Sequence, residues 1–103
     1  MSRLIAIALA PGPEFVRHLS EAWDAGDAVA PIDLRLPDTA RETLLEHLAP
    51  AVVIDERGVA ERHHPRDVEA GDALVVSTSG STGTPKSVVL THDAVHALSL
   101  IHI

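Results

Sequence analysis

Short apolar runs alternate with longer segments of helical periodicity, and this alternation restricts the chain to few architectures. "RLIAIAL" at 3–9, "AVAPI" at 28–32, "AVVI" at 51–54 and "ALVV" at 73–76 each read as a strand. Strands separated by helices of about ten residues specify right-handed βαβ units and a parallel sheet. The fold class expected is therefore α/β.

Punctuation residues set the boundaries. The first strand, within Arg3–Leu9, ends at Pro11, Gly12 and Pro13. Glu14–Ala25 follows as a helix with Val16, Leu19 and Trp23 on one face and Phe15 beside them, and Gly26 stands where a C-cap glycine belongs. Pro37, Asp38 and Thr39 open the next helix. Thr39 with Glu42 fits a capping box, with Asp38 as the alternative cap. Ala40, Leu44, Leu45 and Leu48 form its apolar stripe, and Pro50 stops it. Residues 55–72 are charged and rich in turn formers, an irregular connection with a short strand near Val59. Aromatics are 2% of the chain, so the core is aliphatic around Phe15 and Trp23.

Charge and composition exclude several functions. The formal net charge is −7, which repels a phosphate backbone at long range and argues against nucleic acid as a partner. The chain has no cysteine, so disulfide frameworks and thiolate metal sites are excluded, and a cytoplasmic location is expected. No run approaches the roughly 20 apolar residues of a membrane span. His63 and His64 are adjacent and project differently, which makes them loop residues and not a chelating pair. Asp33 and Arg35 follow the second strand; a structural turn is expected there, with a ligand role at the strand's carboxyl end as the alternative.

The chemistry concentrates in "VSTSGSTGTPKSVVLTH" at 76–92, which holds the only lysine, Lys86. "ALVV" before it and "SVVL" at 87–90 after it read as the arms of a hairpin with a long tip. Gly80 and Gly83 permit positive φ and clear bulk from the tip, so successive N–H groups can converge on an anion. Ser77, Thr78, Ser79, Ser81, Thr82 and Thr84 add hydroxyl donors, Pro85 stiffens the exit, and Lys86 brings a mobile positive charge. A flexible Ser/Gly linker is the bland alternative, but a linker would not join two apolar strands this tightly. A Walker P-loop requires glycine at Pro85 and a helix next, whereas proline lacks the N–H and Val88–Val89 favour a strand.

"TSGSTGTPKSVVLTH" at 78–92 resembles the signature T-S-G-[ST]-T-G-x-P-K-G-V-x-x-[ST]-H of the adenylate-forming enzymes, the AMP-binding or acyl-activating superfamily. Thr78, Ser79, Gly80, Ser81, Thr82, Gly83, Pro85, Lys86, Val88, Thr91 and His92 match; Ser87 replaces the usual glycine. "AGDAVAPIDLRLPDTARETLLEHLAPAVVI" at 25–54 is similar to a weaker feature of the same family. The resemblance implies the N-terminal part of an AMP-binding synthetase domain: βαβ units, a mostly parallel sheet and a hairpin carrying the phosphate loop. It implies ATP with Mg²⁺ as cofactor and a loop of Thr78, Ser79, Gly80, Ser81, Thr82, Gly83, Thr84 and Lys86 around the β- and γ-phosphates. The activity implied is joining a small carboxylate to ATP, giving acyl-adenylate and pyrophosphate, then transfer to a thiol. An acyl-CoA synthetase of the o-succinylbenzoate–CoA ligase type, with CoA as co-substrate, is the subtype expected. His92 is read as a helix-capping or packing residue.

The family's adenine motif, ribose-binding aspartate, hinge and catalytic lysine have no counterpart here. Residues 1–97 are accordingly expected to be a partial AMP-binding domain that needs the remainder of a synthetase chain and is inactive alone. Residues 98–103, "LSLIHI", match one reading frame of a transposon end used in sequencing libraries and are expected to be a non-native or truncated end. The alternative to a ligase fragment is a non-catalytic α/β anion- or nucleotide-binding module; a third reading is a structural fragment with a solvated loop.

Overall fold

A computed structural model describes residues 2–79 and 85–101. Six strands form one sheet: β1 (Leu4–Ala8), β2 (Ala28–Pro31), β3 (Val52–Asp55), β4 (Gly58–Glu61), β5 (Asp72–Ser79) and β6 (Pro85–Thr91). Their spatial order is β4-β3-β1-β2-β5-β6. β1 pairs in parallel with β2 and β3, and β2 with β5; β3–β4 and β5–β6 are antiparallel. The α/β class, the parallel centre and the terminal hairpin are as the sequence implied.

The described residues also form three helices: α1 (Pro13–Asp24), α2 (Asp38–Leu48) and α3 (His92–Ile101). β2 and β3 flank β1 on opposite sides, so the two crossovers travel in opposite directions. Crossovers of one hand must then lie on opposite faces of the sheet, and they do. α1 covers Ile5, Ile7, Val29, Val52 and Ile54 with Ala22, Phe15, Leu19 and Trp23. α2 covers Leu4, Ala6, Ala8, Ala28, Ala30 and Ile32 with Leu44, Leu45 and Leu48. Both faces of β1 are therefore buried, which is why its sequence is a continuous apolar run. The two faces differ in bulk: β-branched residues meet α1, while alanines on β1 and β2 meet the leucines of α2.

Local chemistry explains the helix boundaries, with two departures from expectation. Gly26 takes φ 84°, a left-handed turn that suits glycine, just after the end of α1. Ala49 takes φ 48° directly before Pro50, whose ring disfavours a helical conformation in the preceding residue. The capping box at Thr39 and Glu42 is not formed. Pro37, at φ −59° and ψ 156°, is the residue before the helix, and no side chain caps it. Asp38 and Thr39 are thus already helical; Arg41 N–H bonds the Pro37 carbonyl, and Thr43 Oγ1 donates to the Thr39 carbonyl. Val16 does not share the buried face of α1; it is 56% exposed, and Phe15 packs inward instead. The short strand near Val59 is present as β4. α3 runs from His92 to Ile101.

A buried carboxylate ties the start of β1 to the start of β2. Asp27, 3% exposed, accepts the Arg3 backbone N–H at 3.0 Å on Oδ1 and the Arg3 guanidinium at 3.4 Å on Oδ2. Asp27→Ala leaves that N–H without its acceptor and is expected to cost about 1–3 kcal/mol. Asp27→Asn retains an acceptor and should cost less. Urea unfolding of both variants checks this, and equal midpoints for Asp27→Ala and the parent chain would refute it.

Candidate functional site

Parallel strands bring their carboxyl ends to one edge of the sheet, and the candidate site lies there. Connections from β1 and β2 leave toward opposite faces, so a crevice opens between their ends, where open α/β sheets bind ligands. One cavity, of ≈ 440 Å³, is lined by Leu9, Pro11, Phe15, Ile32, Leu34 and Arg35 among others. A neighbouring one, of ≈ 590 Å³, is charged, with Glu14, Asp38, Arg41, Asp55, Glu56 and Arg57 on its walls. The Arg41 Nε facing this region is buried and has no hydrogen-bond partner among the described residues.

The turn after β2 is built by its own side chains. Asp33 Oδ1 accepts the Arg35 backbone N–H at 2.9 Å and Arg35 Nε at 3.1 Å, and Oδ2 takes the guanidinium at 3.1 Å. These hydrogen bonds from Arg35 hold the Asp33 carboxyl below its usual range and raise the Arg35 pKa. The Asp33 charge therefore contributes above the ordinary carboxylate range and is lost only as pH falls below it. This is the structural turn that the sequence favoured; both carboxylate oxygens are engaged within it.

β5 and β6 carry the candidate loop to the same edge. β5 joins the parallel sheet at Val29↔Leu74 and then runs on to Ser79, while β2 stops at Pro31. It extends three residues further, about 10 Å at roughly 3.3 Å per residue. The hairpin register is Val75↔Val89, Val76↔Val88, Ser77↔Ser87, Thr78↔Lys86 and Ser79↔Pro85. Of the predicted phosphate-binding residues, Thr78 and Ser79 therefore end one arm, and Lys86 is the second residue of the other, directly opposite Thr78. Gly80, Ser81, Thr82, Gly83 and Thr84 lie outside the described residues.

The base of this hairpin is anchored by groups that sequence reading did not connect. Trp23 on α1 donates its indole N–H to the Ala73 carbonyl at 2.9 Å and meets His92 edge-on, with ring centroids 5.0 Å apart. His92 N–H bonds the Gly71 carbonyl, and Thr91 Oγ1 accepts the Ala94 N–H at 3.1 Å. Thr91 is thus the N-cap of α3, and His92 is a packing residue, one of the two roles expected of it. One tryptophan holds both arms: Ala73 at the start of β5 and His92 just past the end of β6. Nothing in the sequence links positions 23, 73 and 92, which only the fold brings together. Among the described residues no group of three His, Asp or Glu is placed to hold a metal ion.

No family model matches the chain. It is 37% identical, over 93% of its length, to a probable non-canonical nonribosomal peptide synthetase, CymA, of Salinispora arenicola. The chain spans only 1% of CymA. Its fold is similar to the Klebsiella oxytoca NpsA N-terminal subdomain solved in complex with 3-hydroxybenzoyl-AMSN (TM-score 0.69, 22% identity), over 88% of this chain and 28% of that one. It is also similar to the Mycobacterium tuberculosis fatty acyl CoA synthetase (TM-score 0.73, 20% identity), over 98% of this chain and 27% of that one.

Proposed function

We infer that this chain belongs to the adenylate-forming superfamily, as the N-terminal part of an AMP-binding synthetase domain, and contributes that domain's ATP phosphate loop. The observation that carries this reading is the signature at 78–92, with its lysine set opposite Thr78 on a hairpin that overshoots the carboxyl edge of the sheet. Residues 1–97 are the partial domain.

The reaction proposed is attack of a substrate carboxylate oxygen on the α-phosphorus of ATP. The new O–P bond gives the acyl-adenylate as the bond to the pyrophosphate oxygen breaks, and the electron pair leaves with pyrophosphate. The loop acts on the leaving group. Hydroxyls of Thr78, Ser79, Ser81, Thr82 and Thr84 and backbone N–H groups, freed for the purpose by Gly80 and Gly83, donate to its oxygens; Lys86 neutralises the charge that builds there. Mg²⁺ fits as an ion carried in on the phosphates of ATP, where it supplies charge neutralisation. No residue of this chain is assigned to covalent or acid–base chemistry.

The second half-reaction transfers the acyl group to a thiol. Free CoA is the acceptor if the acyl-CoA synthetase resemblance holds. Similarity to CymA, described as a nonribosomal peptide synthetase, favours a carrier-bound thiol instead. The test uses the longer protein encoded by the same gene: carboxylate-dependent exchange of pyrophosphate into ATP across fatty, aryl and amino acids, followed by transfer to CoA or to a pantetheinylated carrier. Exchange with one acid class and transfer to the carrier are expected. A folded protein that binds ATP yet exchanges with no acid in the panel would instead favour a non-catalytic nucleotide-binding module.

A further inference from the structure

Little fixes the register of the β5–β6 hairpin along most of its length. β5 meets the parallel sheet at the registered pair Val29↔Leu74, and among the described strands β6 is paired with β5. A strand's register is ordinarily specified where one of its faces is buried and the other is not. Val88 and Val89 are neighbours on β6 and face opposite sides of the sheet. They are 49% and 46% exposed, so burial there favours neither phase. Ser77 and Ser87 stand opposite each other, yet neither Oγ has a hydrogen-bond partner among the described residues. No bond between their side chains locks that pair.

The base of the hairpin is specified differently. Asp72 pairs with Thr91 and Leu74 with Leu90, so two steps along β5 answer one step along β6, and Ala73 is passed over. This is a β-bulge, a device that bends a strand and re-aims what it carries. Ala73 is 0% exposed, and a buried carbonyl left without a partner is costly. The Ala73 carbonyl accepts the Trp23 indole N–H at 2.9 Å. The same ring meets His92 edge-on, and His92 donates its backbone N–H to the Gly71 carbonyl at 2.9 Å. Trp23 therefore touches the hairpin on both sides of the bulge. It holds the residue that β5 skips, and it packs on the residue just past Thr91, where the pairing begins.

We propose that Trp23 is a positioning residue for the candidate loop: by holding the Ala73 bulge it selects the register that sets Lys86 opposite Thr78. Continued from Asp72↔Thr91 without the bulge, the ladder would run Val75↔Val88, Val76↔Ser87 and Ser77↔Lys86, one residue out of phase with the pairing observed. A slip of one residue moves a strand's whole set of side chains to the other face of the sheet. Lys86 would then oppose Ser77 in place of Thr78. The indole N–H prevents this because the bulge is stable only while its buried carbonyl has a donor. The use made of Lys86 rests on the phosphate-loop reading above, whereas the register itself does not depend on it.

The test replaces Trp23 in the 103-residue chain by benzothienylalanine, which keeps the bicyclic shape and puts sulfur where the N–H was. Cross-strand backbone NOEs report the register. The parent chain should show the Val75↔Val89 register. The substituted chain should show the Val75↔Val88 register, with β6 amides exchanging at least about tenfold faster and β1 amides unchanged. Deleting Ala73 supplies the rescue. The deletion removes the bulge and leaves Leu74↔Leu90 in step with Asp72↔Thr91, so in that background the same replacement should alter neither register nor exchange. Parent register and parent β6 exchange in the substituted chain overturn the proposal, as does a slip that the Ala73 deletion does not suppress. A substituted chain that is unfolded, and stays unfolded when Ala73 is deleted, gives the ring a packing role alone and also overturns it. The readout requires neither ATP nor a carboxylate, so a failed register and a failed synthetase reading give separate results.

Discussion

Lys86→Ala in the longer protein is expected to lower the rate of adenylate formation about 10²–10³-fold, the usual effect of removing one donor aimed at developing charge. The loss should fall mainly on kcat. In ground-state ATP the γ-phosphate charge is already shared with Mg²⁺ and solvent, whereas charge accumulates on the pyrophosphate oxygens only as the α–β bridge breaks. Lys86→Arg should recover part of the rate, since it restores charge but presents a planar fork in place of a compact ammonium. Folding should be unaffected. Lys86 is paired with Thr78 through the hairpin backbone, and alanine keeps that backbone. The measurements are carboxylate-dependent ATP–pyrophosphate exchange and the thermal midpoint of each variant. Unchanged exchange would remove Lys86 from the phosphate site; a fall in midpoint matching the fall in rate would make it a folding residue.

The architecture was legible because its signals are local. Four apolar runs, prolines at 11, 13, 37 and 50 and the glycine at 26 gave strand and helix order, and they imply a parallel sheet because the crossovers are helical. Three features were not legible, each for a physical reason. Asp27 looks like a polar loop residue; its burial depends on Arg3, and no spacing rule connects those positions. The capping box failed because Pro37 already supplies a preset φ at the helix entrance, which places Thr39 within the helix and turns it from a cap into an acceptor for Thr43. Val16 fits the apolar period as well as Phe15 does, and the outcome was decided by which side of α1 meets β1. At the candidate site the motif only nominates residues, and the structure adds where the described arms of the hairpin stand, anchored at their base by Trp23.

Leu48→Ala is expected to destabilise the fold by about 2–5 kcal/mol, a large share of the roughly 5–15 kcal/mol typical of a domain. Leu48 is 1% exposed and lies among Leu4, Ala6, Ala28 and Ala30, beneath the last turn of α2. The sheet surface there is rich in alanine, with Leu4, Ile32 and Val75 around it, and alanines have no side-chain freedom with which to refill a cavity. The void should therefore persist, and the cost should lie toward the upper part of the range. On the opposite face, Ile5, Ile7, Val29 and Ile54 have rotamers and methyl groups that can shift, so a comparable truncation at Leu19 on α1 should cost less. Val16→Ala, at a position 56% exposed, serves as the control and should change stability by less than about 0.5 kcal/mol. Urea midpoints of the three variants, measured on the same chain, give the order Leu48, Leu19, Val16 if the alanine face sets the cost. Equal losses at Leu48 and Leu19 would mean that the small-residue face relaxes as freely as the branched one.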